Sequence, residues 1–220
     1  MCFSPIASFT ASAVLGAIGA ATLCKVKVKR DMMFAAIPLL FAVQQFIEGL
    51  LWINLLHHDW PQAQIWLIMS YGIFAFVIWP VYVPTSLFLL EADRRRKQII
   101  AGTIAIGVCF AAYVLSVMFH THVTARISNS CILYEYPTPP YDYLCLPMYI
   151  IATCAAFCIS SHRRIRWLGI MTIITFLAAY AFYNYYLVSV WCFFAAIVSG
   201  FIYFCFHFAR KQNEVYSEAI

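Results

Sequence analysis

The sequence RRRKQIIAGTIAIGVCFAAYVLSVMF, residues 94–119, contains the pattern that decides the fold. Four basic residues at 94–97 are followed by an apolar run, residues 98–119, that carries no charge. A helix of about 20 apolar residues can cross the hydrocarbon core of a bilayer, and basic residues beside such a helix mark its cytoplasmic end. Residues 98–119 are therefore predicted to form a transmembrane helix that starts in the cytoplasm.

Apolar runs of this kind recur along the whole chain. The 220 residues are 64% hydrophobic and only 10% charged, whereas soluble domains carry about 25% charged residues. The pattern predicts an all-α fold, a single domain over residues 1–220 with seven transmembrane helices. The other six runs are residues 5–24, 32–56, 63–90, 143–161, 167–186 and 188–209. Pro80 and Pro84 are expected to kink the third helix, and residues 184–189 are expected to form the turn between the last two.

The basic residues predict the orientation in the membrane. Thirteen of the fourteen lysines and arginines lie in the segments 25–30, 94–97, 163–166 and 210–211, and Arg126 alone falls on the opposite side. By the positive-inside rule, the side with the thirteen is cytoplasmic. The N-terminus is then outside and the C-terminus in the cytoplasm of a multi-pass protein of the plasma (bacterial inner) membrane. The net charge of +5 is explained by this asymmetry, so the expected partner is the lipid bilayer and not a nucleic acid.

Glu48 is the strongest candidate for a functional residue. Of all the Asp, Glu, Lys and Arg residues in the sequence, it alone falls inside a predicted span. A charge at that depth costs a few kcal/mol, and such residues usually face a bundle interior or a wet cavity. Gln44, Gln45 and Trp52 lie three or four residues away, on nearly the same helix face. Two interpretations stay open: a functional group, or a structural carboxyl that holds helices together.

Histidines at the predicted outer surface are the candidate metal ligands. His57 and His58 end the second span, and His120 and His122 end the fourth. Imidazole is a common ligand of zinc and copper, so these four side chains would form a metal site if they converge. The alternative is that they cap helix ends at the membrane interface.

Cysteines and aromatic residues near the outer surface offer further candidates. Cys131 lies in the longest loop, residues 120–142, and Cys145 lies just after it; a disulfide between them is predicted because the outer compartment is oxidising. Cys2 and Cys192 could pair, or could stay as thiols near Glu48. Tyr183 and Asn184 either line a cavity or belong to the aromatic belt of the interface.

Three motifs carry a resemblance to a known family. They are MCFS at residues 1–4, PLLFAVQQFIEGLLW at 38–52 and SVWCFFA at 189–195. With them the chain resembles a family of uncharacterised bacterial seven-helix integral membrane proteins. The resemblance brings no known activity, but it implies that one site is formed by Cys2, Gln45, Glu48, Trp52, Trp191 and Cys192.

The function that these patterns favour is the binding or transport of a small molecule or ion, through an outward-facing cavity centred on Glu48. No motif identifies a cofactor. One alternative is a membrane-embedded enzyme that uses Glu48 as acid and base at the outer side. Another is a sensor that acts through a partner, and assembly as a homo-oligomer also stays open.

Overall fold

A computed structural model describes residues 4–57, 61–121, 123–135 and 142–207, and helices dominate it. The α-helices, in chain order, are α1 Pro5–Leu23, α2 Met32–Ala35, α3 Ile37–His57, α4 Pro61–Ile73, α5 Trp79–Leu90, α6 Arg94–His120, α7 Asp142–Ile150, α8 Ala156–Ile159, α9 Arg163–Tyr183 and α10 Leu187–Ser199. Residues 202–207 are helical as well. Short 3-10 helices precede α2 and α10, at Lys29–Asp31 and Asn184–Tyr186.

The described residues contain five helical stretches that are long and apolar enough to cross a membrane. They are Pro5–Leu23, Lys29–His57, Pro61–Leu90, Arg94–His120 and Arg163–His207. A shorter apolar helical stretch spans Tyr143–Ile159. The chain therefore has the make-up of a helical membrane protein, and the apolar runs of the sequence coincide with these stretches to within a few residues.

The last stretch, Arg163–His207, folds back on itself. The rings of Phe176 and Trp191 lie 4.9 Å apart, centroid to centroid. In a straight helix, residues this far apart in sequence would be separated by about 22 Å. The reversal occurs at the 3-10 helix Asn184–Tyr186, within the predicted turn.

The helix that contains Pro80 changes its hydrogen-bond pattern just before the proline. Residues Phe74–Ile78 form a π-helical turn between α4 and α5. Proline has no N–H to donate, and a π-turn is one of the recognised ways in which a helix accommodates an interrupted ladder. A second π-turn, Ile151–Ala155, joins α7 to α8.

The all-α prediction omits a small antiparallel sheet in the loop between α6 and α7. Strand β1, Thr124–Ser128, pairs with strand β2, Cys131–Glu135. The two turn residues, Asn129 and Ser130, both have positive φ, at 49° and 56°, which is the conformation of a tight two-residue hairpin turn. The sequence shows no Asn-Gly or Asp-Gly pair here, and this explains why the hairpin was missed.

Small residues allow the helices of the bundle to approach closely. The hydroxyl of Ser12 in α1 donates a hydrogen bond of 2.8 Å to the carbonyl of Ala42 in α3. A methyl group at Gly19 would lie 2.7 Å from the backbone nitrogen of Leu39. In a membrane, such packing replaces the hydrophobic effect as the force between helices.

Three of the basic segments, residues 25–30, 94–97 and 163–166, converge on one end of the bundle, and residues 210–211 lie outside the described residues. Arg96, in the cluster that opens α6, donates a hydrogen bond of 2.6 Å to the carbonyl of Ile159. The ammonium group of Lys25, which follows α1, lies 5.0 Å from the ring centroid of Tyr203. Arg30, Arg163 and Phe206 also line one cavity, so these three segments and the end of the last described helix lie close together.

Candidate functional site

Glu48 lies in the middle of α3, and its side chain is only 2% exposed. Gln44 and Gln45 belong to the same helix and are fully buried beside it. Their spacing of three and four residues places the three side chains on one face. That face is turned into the bundle, so the helix α3 carries a polar patch into an apolar core.

Two side chains donate hydrogen bonds to the Glu48 carboxyl. Ser189 Oγ, from α10, lies 2.6 Å from Glu48 Oε1, and Gln45 Nε2 lies 3.2 Å from Glu48 Oε2. The indole nitrogen of Trp79, from α5, donates a hydrogen bond of 2.6 Å to Gln44 Oε1. Side chains from three different helices therefore meet at this patch.

Tyr71 and Cys192 complete the group. The Tyr71 hydroxyl lies beside Glu48 and Cys192, close enough to interact with both. Cys192 follows Ser189 by three residues, on the same face of α10. We call the set the Glu48 cluster; its members are Gln44, Gln45, Glu48, Tyr71, Trp79, Ser189 and Cys192.

The β-hairpin packs against the cluster. The Tyr71 ring stacks on the ring of Tyr134 in β2, with centroids 4.7 Å apart and planes 5° from parallel. Ile132, also in β2, is buried in the same apolar group as Tyr71 and Cys192. The hairpin therefore closes the cluster at the end of the bundle where His57 and His120 terminate their helices.

Several polar atoms of the cluster have no hydrogen-bond partner among the described residues. They are Gln44 Nε2, Gln45 Oε1 and Tyr71 Oη. A buried polar group that lacks a partner costs about 1–3 kcal/mol, so most native cores avoid such groups. The cluster thus has two hydrogen-bond donors and one acceptor beside a carboxyl. These groups are available to bind a ligand.

Two cavities adjoin the cluster on the side of Trp191 and Cys192. The first has a volume of about 50 Å³ and reaches from Trp79 to Thr172. The second has a volume of about 210 Å³ and shares Tyr149, Trp191 and Cys192 with the first. Cys192 lines both cavities and Glu48 lines neither, so the Glu48 carboxyl is enclosed.

A protein-family model matches residues 1–218 of the chain. The chain belongs to the DUF6629 family, a family of unknown function. No curated protein and no solved structure shows a significant match to it. The expected membership of an uncharacterised family is thereby confirmed for this DUF6629 chain, whereas the bacterial origin and the role of the three motifs stay predictions.

The structure brings some of the sequence-predicted site residues of the DUF6629 chain together and leaves others apart. Trp52 is buried in the same apolar group as Tyr71 and Cys192. Trp191 packs instead between Tyr149 and Phe176, with ring centroids at 5.3 and 4.9 Å. Tyr183 is half-buried at the end of α9 and Asn184 is exposed in the turn that follows. Cys2 lies outside the described residues.

The predicted metal site is only half covered by the structure. His57 and His120 are both exposed at the ends of their helices, and the Nδ1 atom of His120 lies 2.7 Å from the carbonyl oxygen of Ser116. His58 and His122 lie outside the described residues. Within the described part of the chain, no group of three or more His, Cys, Asp and Glu side chains is placed to hold a metal ion. A four-histidine site therefore stays a prediction.

The predicted disulfide partners are packed in one region. Cys131 is buried at the start of β2, and Cys145, in α7, packs against the same apolar group. This arrangement is compatible with the predicted bond between them, which stays a prediction.

Sequence reasoning missed Ser189, Tyr71 and Trp79 as members of the cluster. Ser189 had a usable signal, because it opens the SVWCFFA motif and precedes Cys192 by one helical turn. Tyr71 and Trp79 had none, since aromatic residues are common throughout this chain. Their part in the site follows only from the packing of the α4–α5 stretch against α3.

Proposed function

We propose that the chain crosses the plasma membrane seven times, with the N-terminus outside and the C-terminus in the cytoplasm. The fold-back of Arg163–His207 supports counting that stretch as two spans. The stretch Tyr143–Ile159 supplies a further short span. The convergence of the described basic segments, 25–30, 94–97 and 163–166, at one end supports the orientation, because the opposite end then carries the hairpin and Arg126.

Reporter fusions test this topology. A reporter that is active only in the cytoplasm should work when fused after Ile220 and fail when fused before Met1. The same reporter inserted at Asn129, in the hairpin turn, should also fail. Activity at Met1 or Asn129 would overturn the orientation.

We further propose that the protein binds or transports a small molecule or ion at the Glu48 cluster, which is reached from the outer side. The observation that carries this proposal is a buried intramembrane carboxyl surrounded by polar atoms without partners. Glu48 lies nine residues before His57, about 14 Å from the outer end of α3 at 1.5 Å per residue. Displacement of the β-hairpin, or passage through the cavities beside Cys192, would give a ligand access to it.

Glu91 shows how a structural carboxyl of this protein is held. It is also buried, but its oxygens accept hydrogen bonds from the backbone N–H groups of Ala92, Asp93 and Ser161, at 3.0, 3.0 and 2.7 Å. These bonds close two loops and use both oxygens of the carboxylate. Glu48 differs because the amide and hydroxyl groups around it retain unused hydrogen-bonding capacity.

The substitution Glu48→Gln tests the proposal. It keeps the shape of the side chain but removes the acidic proton and the charge. Thermal stability of the purified parent and variant is measured between about pH 4 and 9, in choline chloride and in the chlorides of sodium, potassium and magnesium. If Glu48 binds a proton or an ion, the melting temperature of the parent should depend on pH or on one cation. The Glu48→Gln variant should stay folded but lose this dependence.

Glu91→Gln is the matched control, because it replaces another buried carboxyl. It should lower the melting temperature yet retain the cation response of the parent. Parallel native mass spectrometry of the parent and the Glu48→Gln variant detects a small molecule that copurifies with the former alone. Identical pH and salt curves for parent and Glu48→Gln, with no difference in bound molecules, would remove Glu48 as the functional centre.

The hydrogen bond from Ser189 favours one second candidate, a membrane-embedded hydrolase. A serine hydroxyl that touches a carboxyl is the arrangement of a nucleophile with its general base. A fluorophosphonate probe should then modify Ser189 in the parent, and not in the Glu48→Gln variant. Absence of labelling in the parent, in detergent and in membranes, would exclude this candidate.

A further inference from the structure

A further cavity lies at the basic end of the bundle, and no member of the Glu48 cluster lines it. Its volume is about 740 Å³. Arg30, from the segment before α2, and the residues that open α9 contribute the polar part of its wall. The latter are His162, Arg163 and Arg164.

The charge of this wall is positive. Arg30 forms an ion pair with Asp31 at 3.6 Å, and the Arg30 side chain stays 62% exposed. Among the described residues that line the cavity, one is acidic, Asp31, and three are arginines. An arginine fork matches the oxygens of a phosphate group geometrically, so the wall favours a phosphate-bearing ligand.

The rest of the wall is apolar. Phe34, Leu90, Ile165, Trp167 and Phe206 line it, and Trp167 is 55% exposed. Exposed tryptophans at the ends of transmembrane helices lie at the level of the lipid headgroups. The cavity therefore combines a cationic part with an apolar part at the depth where a phospholipid has its phosphate and the start of its acyl chains.

We propose that this cavity binds an anionic phospholipid, whose phosphate contacts Arg30, Arg163 and Arg164 and whose acyl chains run along Trp167 and Phe206. Charge complementarity selects an anionic lipid, and the apolar wall selects a lipid over a free phosphate. Basic pockets at the cytoplasmic ends of transmembrane helices are suited to such headgroups. The site goes beyond the function proposed for the Glu48 cluster and does not depend on it.

The test uses the full chain purified in detergent and freed of lipid. Binding of phosphatidylglycerol and of phosphatidylcholine with the same acyl chains is titrated by native mass spectrometry. The variant Arg30→Gln/Arg163→Gln removes two charges from the wall. The matched control, Arg94→Gln/Arg95→Gln, removes two charges from exposed arginines that do not line the cavity.

We expect the parent to bind phosphatidylglycerol more tightly than phosphatidylcholine. Arg30→Gln/Arg163→Gln should weaken phosphatidylglycerol binding by about thirtyfold, since each basic side chain near an anionic lipid surface contributes about fivefold. The same variant should leave phosphatidylcholine binding unchanged. The control Arg94→Gln/Arg95→Gln should change the affinity for either lipid by no more than about threefold. Arg30→Lys/Arg163→Lys keeps the charge and should retain most of the preference.

Several results would overturn the proposal. They are equal binding of the two lipids by the parent, an equal loss in the control pair, and binding of inorganic phosphate as tight as that of phosphatidylglycerol. Binding of phosphatidylglycerol only after removal of residues 208–220 would also overturn it. That result would show that the C-terminal segment, and not a lipid, occupies the cavity in the full chain.

Discussion

Ser189 donates a hydrogen bond of 2.6 Å to Glu48 across 141 residues of sequence. The bond joins α10 to α3 inside the bundle, where water cannot replace a lost partner. It also fixes which oxygen of the carboxyl faces α10, so that Gln45 contacts the other. The pair therefore organises the Glu48 cluster and links the last helices of the chain to the first ones.

Ser189→Ala should destabilise the protein, because it leaves Glu48 Oε1 without this donor. A buried group that loses its partner costs about 1–3 kcal/mol. Ser199→Ala is the matched control in the same helix: Ser199 is also buried, but its hydroxyl donates to the carbonyl of Ala196, three residues earlier in α10. Its removal should have little effect. Reversible unfolding in mixed micelles measures the free energy of unfolding of both variants. Equal decreases in the two variants would contradict a special role for the hydrogen bond from Ser189.

Gly107→Ala should be strongly destabilising. A methyl group at this position would overlap the carbonyl oxygen of Pro80, where α6 crosses the broken helix. Overpacking of a core costs about 1–3 kcal/mol or more. Gly102→Ala, on the same helix, meets nothing within 4 Å and should be neutral or stabilising. The measurement is the melting temperature of both variants in detergent; a stable Gly107→Ala would mean that α5 and α6 are not in such close contact.

Protonation of Glu91 should lower the free energy of unfolding of the protein at acidic pH. Burial alone would raise its pKa, but the backbone N–H groups that donate to it lower the pKa below its ordinary value of 4.5. A carboxyl whose pKa is lowered in the folded state stabilises the protein above its ordinary pKa, and this stabilisation is lost as the pH falls through the lowered value. Glu91→Gln should therefore be less stable than the parent at pH 7 and show a smaller further loss below pH 4.5.

Glu135 supplies the control for this prediction. Its pKa is also lowered, by hydrogen bonds from Arg126 and Thr124, but the ion pair is exposed and such pairs contribute little. Glu135→Gln should leave the acid transition of the parent unchanged. If Glu91→Gln loses stability in acid as steeply as the parent, the backbone bonds to Glu91 do not set the transition.

A disulfide between Cys131 and Cys145 would tie β2 to α7. Peptide mapping of non-reduced protein should recover both cysteines in one linked species, and reduction should lower the melting temperature because it releases the loop that the bond closes. The variant Cys109→Ser is a control, since Cys109 is exposed in α6. Free alkylation of both thiols in non-reduced protein would exclude the bond.

Local sequence features predicted much of the helical architecture. A segment that crosses the bilayer must be long and apolar, as residues 98–119 are. Its backbone groups must also pair internally, which a helix achieves. Glu48 was identifiable for the same reason, because a carboxyl within such a stretch is costly wherever it lies. The β-hairpin was not predicted, since its turn at Asn129 and Ser130 uses positive φ without a glycine.

The sequence by itself determined that the chain is apolar enough for a membrane, where its basic ends lie, and that Glu48 is its exceptional residue. Only the tertiary structure decided that Ser189, Tyr71 and Trp79 surround this carboxyl, and that Asn184 does not. The physical reason is that helical periodicity specifies which residues share a face of one helix. Which faces then meet depends on how ridges and small residues of separate helices fit together, and that fit joins positions 141 residues apart.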